Sequence, residues 1–87
     1  MNLDELARAL ATIEVDQRVI ALGGHADNCW CIEQTSDGAW EVYWSERGGK
    51  HGLVRLDTES AACTQLFGRL AYSQLIAGVS LFPHSQP

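Results

Sequence analysis

Two runs of alternating side chains joined at Ser36-Asp37-Gly38 limit the possible folds of this chain more than any other feature. Residues 29–35 and 39–47 change polarity at every second position, the period of a strand, and Asp-Gly between two such runs marks a tight hairpin. A loop of residues 36–38, with Gly38 left-handed, sets Thr35 opposite Ala39, Gln34 opposite Trp40, Ile32 opposite Val42 and Trp30 opposite Trp44. One face then carries Trp30, Ile32, Trp40, Val42 and Trp44, and the other Cys31, Glu33, Glu41 and Tyr43. A loop one residue shorter pairs Glu33 with Val42 and mixes polar with apolar on both faces. Since a one-residue slip turns every side chain of a strand over, the clean separation favours the longer loop.

The flanking segments supply the elements that cover the apolar face. Leu3, Leu6, Leu10 and Ile13 form one stripe of a helix over about residues 3–13, with Asn2 as N-cap and Asp4 and Glu5 in the first turn. Residues 14–17 read as a connection. Residues 18–22 read as a short strand ending at Gly23-Gly24, with a second helical turn as the alternative, and residues 25–28 form a loop. Residues 46–52 read as a mobile polar connection, and residues 53–56 as a last strand with Val54 and Leu56 inward. Asp57 or Thr58 caps a final helix whose stripe is Cys63, Leu66, Phe67 and Leu70 and which runs to about Ile76, near Gly78. Gly68 weakens that helix, and close packing on the sheet would account for it. The expected fold is α+β: an antiparallel meander of three to four strands with N- and C-terminal helices on one face, in the order α-β-β-β-β-α. It occupies residues 1–78 as one domain, followed by a loose tail at 79–87 that holds His84. An 87-residue chain buries about 60–65% of its unfolded surface, enough for one modest core.

Charge and composition narrow the function classes. Six Lys and Arg against eleven Asp and Glu give a net charge of −5, which disfavours nucleic acid as a partner and suits attraction to a basic one. No apolar run approaches the length of a membrane span, and the N-terminal pattern is not that of a secretion signal, so the expected compartment is the cytoplasm. The three cysteines, Cys29, Cys31 and Cys63, are expected as free thiols there.

The candidates for chemistry are few. Cys29 and Cys31 with His25 do not make up the four ligands of a zinc site, and no metal or cofactor is expected. A cysteine nucleophile needs a partner that lowers its pKa, and His25 and His51 are loop residues without a readable geometry. Glu33 and Glu41, directly opposite on the outer face, could serve general acid–base chemistry; the alternative is a solvated face on which Arg55 neutralises Glu41. Gly23-Gly24 and Gly48-Gly49 lack the Lys-[Ser/Thr] and helix of a phosphate loop. Tyr43, left on the outer face beside acids, is a candidate docking residue.

The stretch Asp37-Gly38-Ala39-Trp40-Glu41-Val42-Tyr43-Trp44-Ser45-Glu46-Arg47-Gly48, continuing through Leu53, Leu56-Asp57-Thr58-Glu59, Ala62-Cys63 and Leu66, resembles small bacterial immunity proteins encoded beside polymorphic toxins. The resemblance covers about residues 30–70. It implies a non-enzymatic, stoichiometric inhibitor that is monomeric when free. Such a protein forms a heterodimer with its cognate toxin domain and covers or plugs the toxin's active site. Toxins of the NAD-glycohydrolase type are one class it suggests, with a nuclease or another toxin as the alternatives. The expected contact residues are Glu33, Glu41, Tyr43 and Arg55 on the open sheet face, with Ser45, Glu46, Arg47, Lys50 and His51 in the adjoining loop. The alternative is a non-catalytic module that self-associates or regulates through a sheet face or edge.

Overall fold

The computed structural model describes residues 1–78. Its elements are helix α1 (Leu3–Thr12), a 3-10 turn at Gln17–Val19, strands β1 (Ile20–Leu22), β2 (Cys29–Gln34), β3 (Trp40–Glu46) and β4 (Gly49–Leu56), and helix α2 (Glu59–Ile76). The strands form one sheet in the order β1-β2-β3-β4. The architecture is α+β in the order helix, four strands, helix, as the periodicities imply.

The central hairpin has the expected register. Ile32 pairs with Val42, Trp30 with Trp44, Glu33 with Glu41 and Gln34 with Trp40, and Gly38 has φ +89°. Thr35 N–H donates to the Ala39 carbonyl at 2.8 Å, and Gly38 N–H to the Thr35 carbonyl at 3.0 Å, closing the turn. A positive φ is open to glycine without a Cβ penalty, so Gly38 fixes which residues face the helices.

Helix α1 begins in a reciprocal cap. Asn2 Oδ1 accepts from Glu5 N–H, and Glu5 Oε1 accepts from Asn2 N–H, both at 2.9 Å. Thr58, rather than Asp57, caps α2 by accepting from Ala61 N–H at 3.1 Å. The helices lie side by side in the same direction. Glu59 Oε2 accepts from Leu3 N–H at their starts, and Gln74 Nε2 donates to the Ile13 carbonyl at their ends. Leu6, Leu10, Cys63, Leu66 and Leu70 bury themselves with Ile32 and Val42 in one core under this helical layer. Trp30 and Trp40 pack at its rim, half-buried rather than central.

Four parts differ from expectation. First, the sheet is mixed: β1 runs parallel to β2, with Ile20 beside Trp30 and Leu22 beside Ile32. Parallel neighbours usually need a connection of a dozen or more residues. Here β1 has three residues and spans about 10 Å, so six extended residues are long enough to return to its start. Second, residues 17–19 form a 3-10 turn capped by Asp16, whose carboxylate accepts from Arg18 N–H at 2.9 Å, and the strand starts only at Ile20. Third, residues 46–52 are not a mobile connection. Arg47 and Gly48, at φ 52° and 76°, make a tight turn, and β4 starts at Gly49. Gly52 (φ 63°) and Leu53 together oppose Tyr43, a bulge that breaks the period-two pattern of β4. Fourth, Gly68 lies against open space, so close packing does not explain it. The expected tail at 79–87, with His84, lies outside the described residues.

Leu66 is fully buried among both helices and the sheet, so Leu66→Ala should cost about 2–5 kcal/mol in chemical denaturation. Asn2→Ala should cost about 1 kcal/mol, because the first turn of α1 loses its cap.

Candidate functional site

The expected contact residues separate into a buried set and an exposed set. Tyr43, expected on an open face, is 0% exposed, and Ser45, expected in a loop, is buried in β3. Both corrections have one cause. The return from β1 to β2 crosses the outer face of the sheet, and Ala26 packs with Ala21 against Cys29, Cys31 and Tyr43 as a second, smaller core. Period-two patterning identifies the face of a side chain but not whether a loop crosses it.

Within this second core the polar atoms form a chain. The Tyr43 hydroxyl donates to Glu33 Oε2. His25 Nδ1 lies 2.8 Å from the same hydroxyl, and His25 Nε2 lies 3.4 Å from Ser45 Oγ. A phenol has one O–H to donate, and here it donates it to Glu33. A neutral His25 therefore donates from Nδ1 to Tyr43, and its Nε2 accepts from Ser45. Burial first, and then the hydrogen bond to Glu33, push the Tyr43 phenol far above its ordinary value. Among the described residues no buried side-chain nitrogen or oxygen lacks a partner.

Lys50 covers the outer side of this chain. Its Nζ lies 4.8 Å from the Tyr43 ring centroid, 3.0 Å from Glu41 Oε1 and 3.8 Å from Glu33 Oε2. Glu41 raises the Lys50 pKa by hydrogen bonding, and this ammonium is what separates the two carboxylates that face each other across β2 and β3. Arg55 stands beside Glu41 in the sheet, but its guanidinium pairs with Asp37 of the hairpin turn, so Lys50 takes the neutralising role expected of Arg55. The hydroxyl of Thr35, then Arg55, then Ala39 N–H hold Asp37 down to about 2.

The arrangement resembles a serine–histidine relay in order, yet Ser45 is fully buried and carries no accessible nucleophile. The thiols of Cys29 and Cys63 are pushed up by burial, which keeps them protonated and poorly nucleophilic near neutrality. All three cysteines are free and buried. Among the described residues no three His, Cys, Asp or Glu side chains converge in a way that could hold a metal ion. The only exposed members of the expected set are Glu46, Arg47, Lys50, His51 and Arg55, which gather at the β3–β4 turn and along β4. Glu46 accepts from Trp44 Nε1 at 2.9 Å, and Arg47 makes no ion pair among the described residues.

On the opposite, helical side an open groove of about 950 Å³ runs along α2 past Ser60, Thr64, Gly68 and Tyr72. Arg69 stacks over the Trp30 ring at 5.1 Å to the centroid at its edge, and Trp30 meets Trp44 edge-on at 5.5 Å. Sequence reasoning did not find this groove. Its signal is the run of small and polar residues four apart on α2. No helix among the described residues is long and apolar enough to cross a membrane. No protein-family model, curated protein or solved structure matches the chain.

Tyr43→Phe should destabilise the fold by about 1–3 kcal/mol, because it removes the one hydroxyl that serves both Glu33 and His25. A double-mutant cycle with His25→Ala should show coupling, since the groups share that hydroxyl. Asp37 stabilises the fold above its unfolded pKa near 3.8, and that contribution disappears as pH falls through about 2. The stability difference between wild type and Asp37→Asn should therefore be constant above about pH 5 and shrink as pH falls through about 2 in acid denaturation.

Proposed function

We propose that this protein is an immunity protein that binds a cognate bacterial toxin domain in the cytoplasm of the producing cell and covers its active site. It acts as a monomer that forms a heterodimer with the toxin, without cofactor or chemistry of its own. The reading starts from the sequence resemblance over residues 30–70, and one structural observation carries it further. Arg47, within the Ser45-Glu46-Arg47-Gly48 part of that resemblance, takes a left-handed conformation (φ 52°) that costs a non-glycine residue energy. It is exposed and forms no ion pair among the described residues. A charged side chain held at a conformational cost without an intramolecular partner fits a residue selected for contact. The contact surface proposed here is accordingly the β3–β4 turn with Glu46, Arg47, Lys50, His51 and Arg55. Glu33 and Glu41 act behind it by holding Lys50, and Tyr43 and Ser45 act as support.

The net charge of −5 favours encounter with a basic toxin, whose cleft must attract a phosphate-bearing substrate. A second reading, self-association, draws on the end of α2, where Tyr72 is 66% exposed and Leu75 and Ile76 are exposed beside it.

Arg47→Gly should raise stability by a few tenths to about 1 kcal/mol, because glycine suits the turn, and should weaken neutralisation of the toxin encoded next to this gene by at least about tenfold. Chemical denaturation and a co-expression survival assay read the two effects. Unchanged protection by both Arg47→Gly and Glu46→Arg would place the contact surface elsewhere. Light scattering addresses the second reading: a dimer dispersed by Ile76→Glu would favour self-association over inhibition.

A further inference from the structure

Helix α2 ends in a directed turn. Ala77 N–H donates to the Ser73 carbonyl at 2.9 Å, Gly78 N–H donates to the Leu75 carbonyl at 3.1 Å, and Gly78 takes φ +90°. This is a left-handed glycine cap, which turns the chain off the helix axis. In such caps the residue after the glycine frequently packs back over the last turn, here over Gln74 and Ser73. Ser73 lines the open groove along α2. The cap therefore aims the following chain at that groove.

The groove and the residues that follow the cap match in polarity and length. At the cap end Tyr72 is 66% exposed, and Ile76, one turn on, is 70% exposed. In the middle Gly68 leaves the helix backbone bare, with nothing among the described residues within 4 Å of a Cβ built there. Thr64 and Ser60 stand at the far end. Residues 79–87 read Val-Ser-Leu-Phe-Pro-His-Ser-Gln-Pro, apolar first and polar after, with no Asp, Glu, Lys or Arg. Run antiparallel to α2, that order sets apolar against apolar and polar against polar. Among the described residues the lining holds no acid, and its one cation, Arg69, is stacked on Trp30, so an uncharged segment suits it. Nine residues extend about 30 Å, and α2 from Ile76 back to Ser60 rises about 24 Å. Phe82, held extended by Pro83, reaches about 13 Å back from Gly78, which brings its ring between Tyr72 and Gly68. A tethered segment has an effective concentration on the order of millimolar, so at micromolar protein it outcompetes the same segment of a second copy.

We propose that residues 79–87 fold back antiparallel to α2 and occupy its groove, with Leu81 and Phe82 over Gly68 and Tyr72. The proposal goes beyond the inhibitor reading and does not depend on it. It accounts for Gly68, because a larger side chain there would stand where Phe82 lies. It also gives the exposed end of α2 a cover from within the same chain, so the segment competes with association of two copies through Tyr72 and Ile76.

NMR spectroscopy of the full chain tests the proposal. Nuclear Overhauser contacts should join the Phe82 ring to Gly68 and Tyr72, and in a mixture of labelled and unlabelled chains they should arise within one molecule. Gly68→Leu fills the groove at a position open to a Cβ, so the core resonances of Ile32 and Val42 should stay in place while the Phe82 contacts disappear. Phe82→Ser leaves the described core intact and removes the segment's largest apolar anchor. It should lower the ratio of docked to undocked chain at least about tenfold, read from the amide shifts of Gly68 and Tyr72. Contacts that arise between different molecules would assign the groove to a second copy and overturn the proposal. No contact between residues 79–87 and α2, or Phe82 contacts that persist in Gly68→Leu, would overturn it as well.

Discussion

The left-handed turn at Gly38 fixes the facing of every residue in the sheet. With that glycine at φ +89°, Thr35 and Ala39 close the turn, and the alternation that follows sends Ile32 and Val42 to the helices and Glu33, Glu41 and Tyr43 away from them. A slip of one residue would place carboxylates under Leu6 and Leu66 and expose Ile32 and Val42, a loss far larger than the stability of a chain this small. The helices need no register of their own. Their stripes meet whatever apolar face the hairpin presents, and the ties from Leu3 to Glu59 and from Ile13 to Gln74 align them on it.

The second face shows how a short strand changes what a sheet can bury. Because β1 has only three residues, its connection to β2 returns within the sheet's own footprint instead of passing over the helices. The returning segment brings Ala26 and His25 over Cys31 and Tyr43, and a phenol that would otherwise face solvent becomes the centre of a hydrogen-bonded chain. Each member restrains another: Glu33 accepts a hydrogen bond from Tyr43, His25 donates to Tyr43, and Lys50 offsets Glu33 and Glu41. A partly satisfied chain of this kind would cost more than an apolar patch, so its completeness makes the loop conformation specific.

Much of this was legible in the residues. The alternation around Asp37-Gly38, the stripe of Leu3, Leu6 and Leu10, and the stripe of Cys63, Leu66 and Leu70 each carry a periodic signal that local physics turns into an element. The burial of Tyr43 and Ser45 was not legible, because it depends on the route of residues 23–28, and a loop's route leaves no periodic trace. The first half of β4 was hidden for a different reason. An edge strand solvated on several sides needs no apolar alternation, and the bulge at Gly52 shifts what alternation remains. Of the residues expected at the surface, Glu46, Arg47, Lys50, His51 and Arg55 are exposed, while their pairings were not legible: Arg55 neighbours Glu41 in the sheet, but it is Lys50 that pairs with it.

The edge-on meeting of Trp30 and Trp44 has a use beyond packing. Two indoles with centroids 5.5 Å apart, inclined by 62°, couple their electronic transitions, and such coupling produces a paired positive and negative band in circular dichroism. Trp30 lies beside β1 and Trp44 beside β4, so the intensity of that couplet monitors both borders of the sheet at once. The fold thus contains its own optical gauge, sensitive to fraying at either side without any attached label.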